Sequence, residues 1–441
     1  MSDVHVNTEL LQAITRGEIH PSALVELIVE HLLEICPACR SEIEAWRENP
    51  TGEVPNYEGI FDRLISHAKT HEGQVAEERQ VVERDFADLL AMEPTEREGK
   101  ILRAHKRFRG HMLADRLLAK SSEGLPADLH NAQHFADLAV LVACRSEPST
   151  FTTEVHVRAL AHQANARRAQ GDLPEADSLF KQARALMRAK GITDKLVYAE
   201  VDFFEGSLKT DQRKFRQADM MLRRATLHYR LARDNRRVAE SLVKLGNLHY
   251  FQQNFDQSID AFREALRSCR PADNPRLVAA ITSNLATVQT EAGLLDEAQE
   301  TLARAKSLGR HFTDGAMQRR LTWLEGKVAR ETGDSENAEA AFLEVRQDSI
   351  AVGIGYDAAM VSIDLALLYA QQGRHRELAA LAEEMLPIFQ SQDVHREAMA
   401  ALILFQEAAR QQTVSASMAR ELLDYLDRAR QDPTLKYREP S

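Results

Sequence analysis

The chain has 441 residues and a net charge of −11, with 44% apolar and 28% charged residues. That balance belongs to a folded soluble chain rather than a disordered one, and its negative sign excludes broad, sequence-independent binding to nucleic acid, which needs a positive field. Only 13 prolines, 19 glycines and 6% aromatics stand against abundant Ala, Leu, Glu, Arg and Gln, a mixture that favours helices and leaves little material for sheets.

The N-terminal stretch has no basic segment followed by an apolar core, and the most apolar window, "AMAALILFQEAA" at 398–409, is too short and interrupted to span a bilayer. A cytoplasmic chain is expected. Four cysteines in this length are no disulfide framework.

Residues 8–47 read as three short helices: "TELLQAITRGE", "PSALVELIVEHLLEI" and "PACRSEIEAWRE". Thr8 can cap the first, with Leu10, Leu11 and Ile14 on one face, and Pro21 suits the start of the second. His31 lies near the end of that second helix, and Cys36 and Cys39 follow it. Two thiolates in a C-P-x-C knuckle can grip one tetrahedral ion, and a histidine about a turn earlier can supply a third ligand. His5 and His20 are the candidates for the fourth, with Glu34 a poorer one.

This stretch resembles the zinc-containing anti-sigma factor domain of bacteria, built on H-x3-C-x2-C with an earlier His or Cys some 25 residues before. His5 stands 26 residues before His31 and His20 only 11. The spacing here is H-x4-C, one residue longer, so the helix must end near Glu34 for the sulfur to face the histidine. The resemblance implies one structural zinc ion on His5, His31, Cys36 and Cys39. It also implies a transcription-factor partner, a sigma factor of the extracytoplasmic-function type.

"NPTGEVPNYE" (49–58) is turn-rich and reads as a linker, and a charged helical stretch follows from about Ile60 to Ala91. "RAHKRFRGHMLADR" (103–116) is the one strongly basic run. It is expected as the solvated face of a helix, with Leu102, Phe108 and Leu113 turned inward. Cys144 and Cys269 are expected as small buried apolar residues.

From residue 150 a frame recurs. A small residue falls at Ala164, Gly206, Gly246, Ala286, Gly326 and Ala366, stepping by 42 and then four times by 40. A second position falls at Ala176, Ala218, Ser258, Ala298, Ala338 and Leu378. A partner four residues on is Phe180, Leu222, Phe262, Leu302, Phe342 or Ala382. Turn glycines stand at Gly171, Gly293, Gly333 and Gly373. Paired antiparallel helices approach closely only where contact residues are small, and the larger residue fills the gap to the next pair.

The clearest copy, "LGNLHYFQQNFDQSIDAFREAL" (245–266), resembles the tetratricopeptide repeat, with Leu245, Gly246 and Phe262 in the signature frame and His249 and Ser258 departing from it. The resemblance implies an all-α, right-handed solenoid of about eight helix pairs. Weaker copies would lie around Ala136, Val140 and Ala143 and around Met418 and Leu422. The expected organisation is a zinc-binding bundle at 1–48, a linker and long helix at 49–110, the solenoid at 111–432 and a loose tail at 433–441.

In the family's frame the first helices line a groove for a protein or peptide. Its positions here include Arg158, Asn165, Phe203, Glu240, Asn247, Tyr250, Arg320, Trp323 and Lys327. They do not reproduce the family's carboxylate clamp. Phosphate loops, nucleophile elbows and H-E-x-x-H are all absent from the sequence, so a non-enzymatic adaptor is expected. The competing expectation is a scaffold or peptide receptor whose N-terminal bundle is only structural.

Overall fold

The structure, a computed structural model, describes residues 76–104, 107–124, 128–310, 312, 315–390, 402–403, 405–406, 408–410 and 413–429. Every regular element among them is a helix. The chain divides into two compact units. One runs to Ala159 and takes in Lys190–Asp194, and the other comprises Leu160–Ala189 with the chain from Lys195 onward.

The first unit holds α1 (76–90), α2 (Pro94–Arg103), α3 (His111–Gly124), α4 (Leu129–Arg145) and the opening turns of α5 (Thr150–Ala169). Pro94 starts α2, where its missing N–H costs nothing. Arg97 is buried and donates from Nε to the Leu89 carbonyl at 2.8 Å and the Met92 carbonyl at 3.3 Å. A cation therefore satisfies carbonyls left over at the end of α1, where the helix dipole favours it. Phe86, Leu89, Ile101, Phe108, Leu117 and Phe135 form this unit's core. Asp128 caps α4 by accepting from the Asn131 N–H, and α4 lays the small residues Ala136, Ala139 and Ala143 inward.

The basic run differs from expectation. It is no single helix: α2 ends at Arg103, and Phe108 turns through a positive φ of 59°. Phe108 and Leu113 are buried as expected, but Leu102 is 48% exposed. Arg107 is neutralised within the unit, with Nε 2.7 Å from Asp85 Oδ1 and a second bond to Asp88. Cys144 is also a correction: it is exposed, on the last turn of α4, with Sγ 3.4 Å from His156 Nε2. Cys269 is buried, as expected.

The second unit is a succession of helix pairs. After α5 come α6 (Leu173–Lys190), α7 (Lys195–Asp211), α8 (Phe215–Leu231), α9 (Asn235–Phe251), α10 (Phe255–Ser268) and α11 (Pro275–Glu291). Then follow α12 (Leu295–Gly309), α13 (Gly315–Glu331), α14 (Ser335–Ala351), α15 (Gly355–Gln371), α16 (His375–Gln390) and α17 (Ala416–Ala429). From α7 to α15 each helix packs on the one that follows it, and α17 packs on α15. The recurring small and partner positions are all buried. The approach is closest at the glycines: a Cβ built on Gly246 would stand 2.7 Å from the Phe262 ring.

The turn inside each pair closes the same way. At Gly293 the backbone takes φ +75°, and the following Leu294 N–H reaches back to the Gln289 carbonyl at 2.9 Å. This left-handed residue with a long backward bond satisfies carbonyls at the helix end. The equivalent residues in the α7–α8 and α9–α10 turns are not glycines, yet Arg213 and Gln253 adopt φ of 57° and 59°. Asn254 there repeats the backward bond to the His249 carbonyl at 2.9 Å.

One interface carries a buried charge. Asp202 on α7 is fully buried between two second helices. Arg184 of α6 reaches Oδ1 at 2.5 Å, and Arg224 of α8 reaches Oδ2 at 2.5 Å. Two guanidiniums offset the desolvation of the one carboxylate.

Candidate functional site

The first helices α7, α9, α11, α13 and α15 touch one another in succession. The face they share is stitched by polar pairs from one helix to the next. His162 of α5 lies with Nε2 2.8 Å from Glu200 Oε1 of α7, both buried. Arg168 donates to Asp211 at 2.7 Å. Lys244 of α9 donates to Ser207 Oγ of α7 at 2.6 Å. Arg320 of α13 donates to the Asn284 amide oxygen of α11. The last step centres on Asp364 of α15, which is fully buried. It accepts from Trp323 Nε1 at 2.7 Å and Arg330 at 2.5 Å.

The expected groove residues divide accordingly. Asn165 is buried and accepts from Arg168 Nε at 3.0 Å. Phe203 is buried beneath Lys244, whose Nζ stands 4.3 Å from the ring centroid, with the Arg237 guanidinium 5.8 Å from the same centroid. Glu240 is held by Arg236 at 3.0 Å and Arg237 at 3.3 Å. Asn247 and Tyr250 are half-buried, and the Tyr250 ring lies 5.7 Å from Phe251 and 6.3 Å from Phe255. Trp323 and Lys327 are half-buried, with Lys327 Nζ 5.6 Å from the Trp323 ring and 3.9 Å from Asp364. Arg158 stands apart from this set, paired with Asp115 at 2.5 Å inside the first unit.

His5, His31, Cys36 and Cys39, and the alternative His20, lie outside the described residues. Among the described residues no cluster of three or more His, Cys, Asp or Glu is placed to hold a metal ion. None of the described helices is long and apolar enough to cross a membrane.

Two cations on this face are poorly matched. Burial, with help from the Arg168 charge, pushes the Lys244 ammonium down to about 7, against weaker support from Asp211 and Glu240. Desolvation also lowers the pKa of Arg320. Arg320 is exposed as a residue while protein atoms crowd its guanidinium. That combination suits a side chain standing on the floor of a groove. The sequence frame missed Lys244, Asn284 and Asp364, although all three stand two residues before the small residue of their repeat.

Residues 237–311 match the Tetratricopeptide repeat family, which covers α9 to α12. No curated protein matches the chain. Among solved structures it is similar to a Rap protein complexed with competence and sporulation factor, at 14% identity. That likeness covers 73% of this chain and 88% of the Rap chain, with a TM-score of 0.57. It is also similar to the apo form of RapI, at 12% identity over 70% of this chain and 88% of that one, with a TM-score of 0.54. At these identities the likeness is one of fold: helix pairs in succession.

Proposed function

We propose that the second unit is a receptor for a peptide or an extended segment of another protein, held along the first-helix face, and that the chain acts by binding rather than catalysis. One observation carries this reading. Tyr250 on α9 and Arg320, Trp323 and Lys327 on α13 are at least partly open to solvent, and the three on α13 are fixed by a partner on a neighbouring first helix. Side chains already held in place lose less freedom on binding, and aromatic and arginine side chains dominate protein contacts. The structural neighbour that holds competence and sporulation factor supports a regulatory receptor of the same kind.

The test is selection of a displayed random-peptide library on the purified chain and on Trp323→Ala and Lys327→Ala variants. Peptides enriched by the parent chain should bind each variant at least about tenfold more weakly, the scale of a contact residue at the centre of an interface. Enrichment that is indifferent to both substitutions would remove the reading.

For residues 1–48 we infer one structural zinc on His31, Cys36, Cys39 and His5, in a module that grips a sigma factor. The spacing of those four residues, in and around three predicted helices, supports this. Metal analysis of the reduced, chelator-free chain beside a Cys36→Ser/Cys39→Ser variant tests it. No zinc in either leaves the scaffold reading, in which that segment is only structural.

A further inference from the structure

The acids of the first-helix face are already matched. Glu200 has His162 at 2.8 Å and Arg237 at 3.8 Å, Asp211 has Arg168 at 2.7 Å, and Glu240 has Arg236 and Arg237. Asp364 has Arg330 at 2.5 Å and Lys327 at 3.9 Å, and Glu291 has Lys327 at 4.0 Å. The cations are not all matched. Among the described residues Lys244 has one hydrogen-bond partner, the Ser207 hydroxyl, and Arg320 has an amide oxygen. An ammonium has three donors and a guanidinium five, so each retains donors that no protein acceptor takes. Neither has a carboxylate within 4 Å among the described residues.

We propose that the segment held on this face is acidic, with one carboxylate seated at Lys244 on the α7–α9 step and another at Arg320 on the α11–α13 step. This rests on the receptor reading above and adds the chemistry of the ligand. A cation crowded by protein atoms and lacking an anion gains more from an incoming carboxylate than one standing in water, because the lowered local dielectric strengthens the pair and part of its solvation has already been lost. The matched cations gain less, since a ligand acid there would compete with an internal one.

The Lys244 seat couples binding to protons. The groups around it are Arg168 from α5, Asp211 and Ser207 from α7, and Arg237 and Glu240 from α9. Lys244 itself changes charge between pH 6 and 8. An ammonium near pKa 7 is about one-tenth charged at pH 8 and mostly charged at pH 6. Binding of a carboxylate above pH 7 therefore draws a proton onto the Lys244 amine, and the affinity rises as the pH falls.

The experiment uses the full chain on an array of random 12-residue peptides, read at pH 6 and pH 8. The bound set should be enriched in Asp and Glu, and its signal should rise up to about tenfold from pH 8 to pH 6. Lys244→Arg, which keeps a cation of high pKa, should retain the acidic preference and lose the pH response. A Lys244→Gln/Arg320→Gln double variant should lose the acidic preference. A groove-dependent bound set that is neutral or basic would overturn this proposal and leave the receptor reading standing. If no peptide binds in a groove-dependent way, both fall.

Discussion

The indole N–H of Trp323 donates to the Asp364 carboxylate at 2.7 Å, and this buried acid also receives Arg330. One carboxylate thus fixes an aromatic side chain and a guanidinium of the preceding first helix. Asp364→Ala leaves Arg330 almost fully buried without its main partner, which should cost about 3–5 kcal/mol. Thermal unfolding measures the loss. In a Trp46→Phe background, where Trp323 is the sole tryptophan, its emission should shift to longer wavelength as the indole N–H turns to water. Unchanged emission would mean that Asp364 does not hold the ring.

Lys244 gives stability a pH dependence of unusual sign. Its pKa is about 7 in the folded chain against an ordinary 10.5, so between those values the unfolded chain binds the proton and the folded chain does not. Its contribution therefore improves as pH rises from about 7 toward 10.5 and is at its worst below 7. Urea unfolding at pH 7 and 9.5 should show the parent chain gaining about 1–2 kcal/mol on a Lys244→Met variant, after allowance for partial exposure. Parallel pH curves for the two chains would remove the assignment.

Gly246→Ala sets two effects against each other. Alanine is the better helix former by roughly 0.5–1 kcal/mol, but its methyl would stand 2.7–3.0 Å from the Phe262 ring. The ring is fully buried and cannot swing away, so overpacking wins. A net loss of about 1–2 kcal/mol is expected from chemical denaturation. A neutral or stabilised variant would show that the α9–α10 pair can open at little cost.

Gln253→Gly should go the other way. A left-handed residue with a Cβ costs roughly 1–2 kcal/mol, and glycine relieves this less its own entropy in the unfolded chain. A gain of about 0.5–1 kcal/mol in unfolding free energy is expected, and a loss would mean that the glutamine side chain makes a compensating contact.

Much of this fold was legible as spacing. The 40-residue step located every small and partner position, because close helix contact constrains residue size whatever the surroundings. Four turns announced themselves by glycine. The turns at Arg213 and Gln253 did not, since there the backward hydrogen bonds impose the left-handed conformation against the preference of the residue. Cys144 and Leu102 were misjudged because each falls at the last turn of a helix, where periodicity no longer says which side is covered. The first-helix positions expected to line a groove could be listed from the frame, but their pairing could not. Whether Lys244 reaches Ser207 or a carboxylate depends on rotamers across two helices, which spacing alone does not encode.

The stitches between first helices also bear on how such an array can change. Removing 40 residues from the middle would restore the backbone phase and leave the chemistry out of step, because Lys244 answers a serine, Asn284 an arginine, and Asp364 a tryptophan and an arginine. The repeats share a shape without being interchangeable. At Lys244, Asn284 and Asp364 the residue two places before the small position acts as an address for its step, so a single substitution there can alter one step of the face while its neighbours stay as they are.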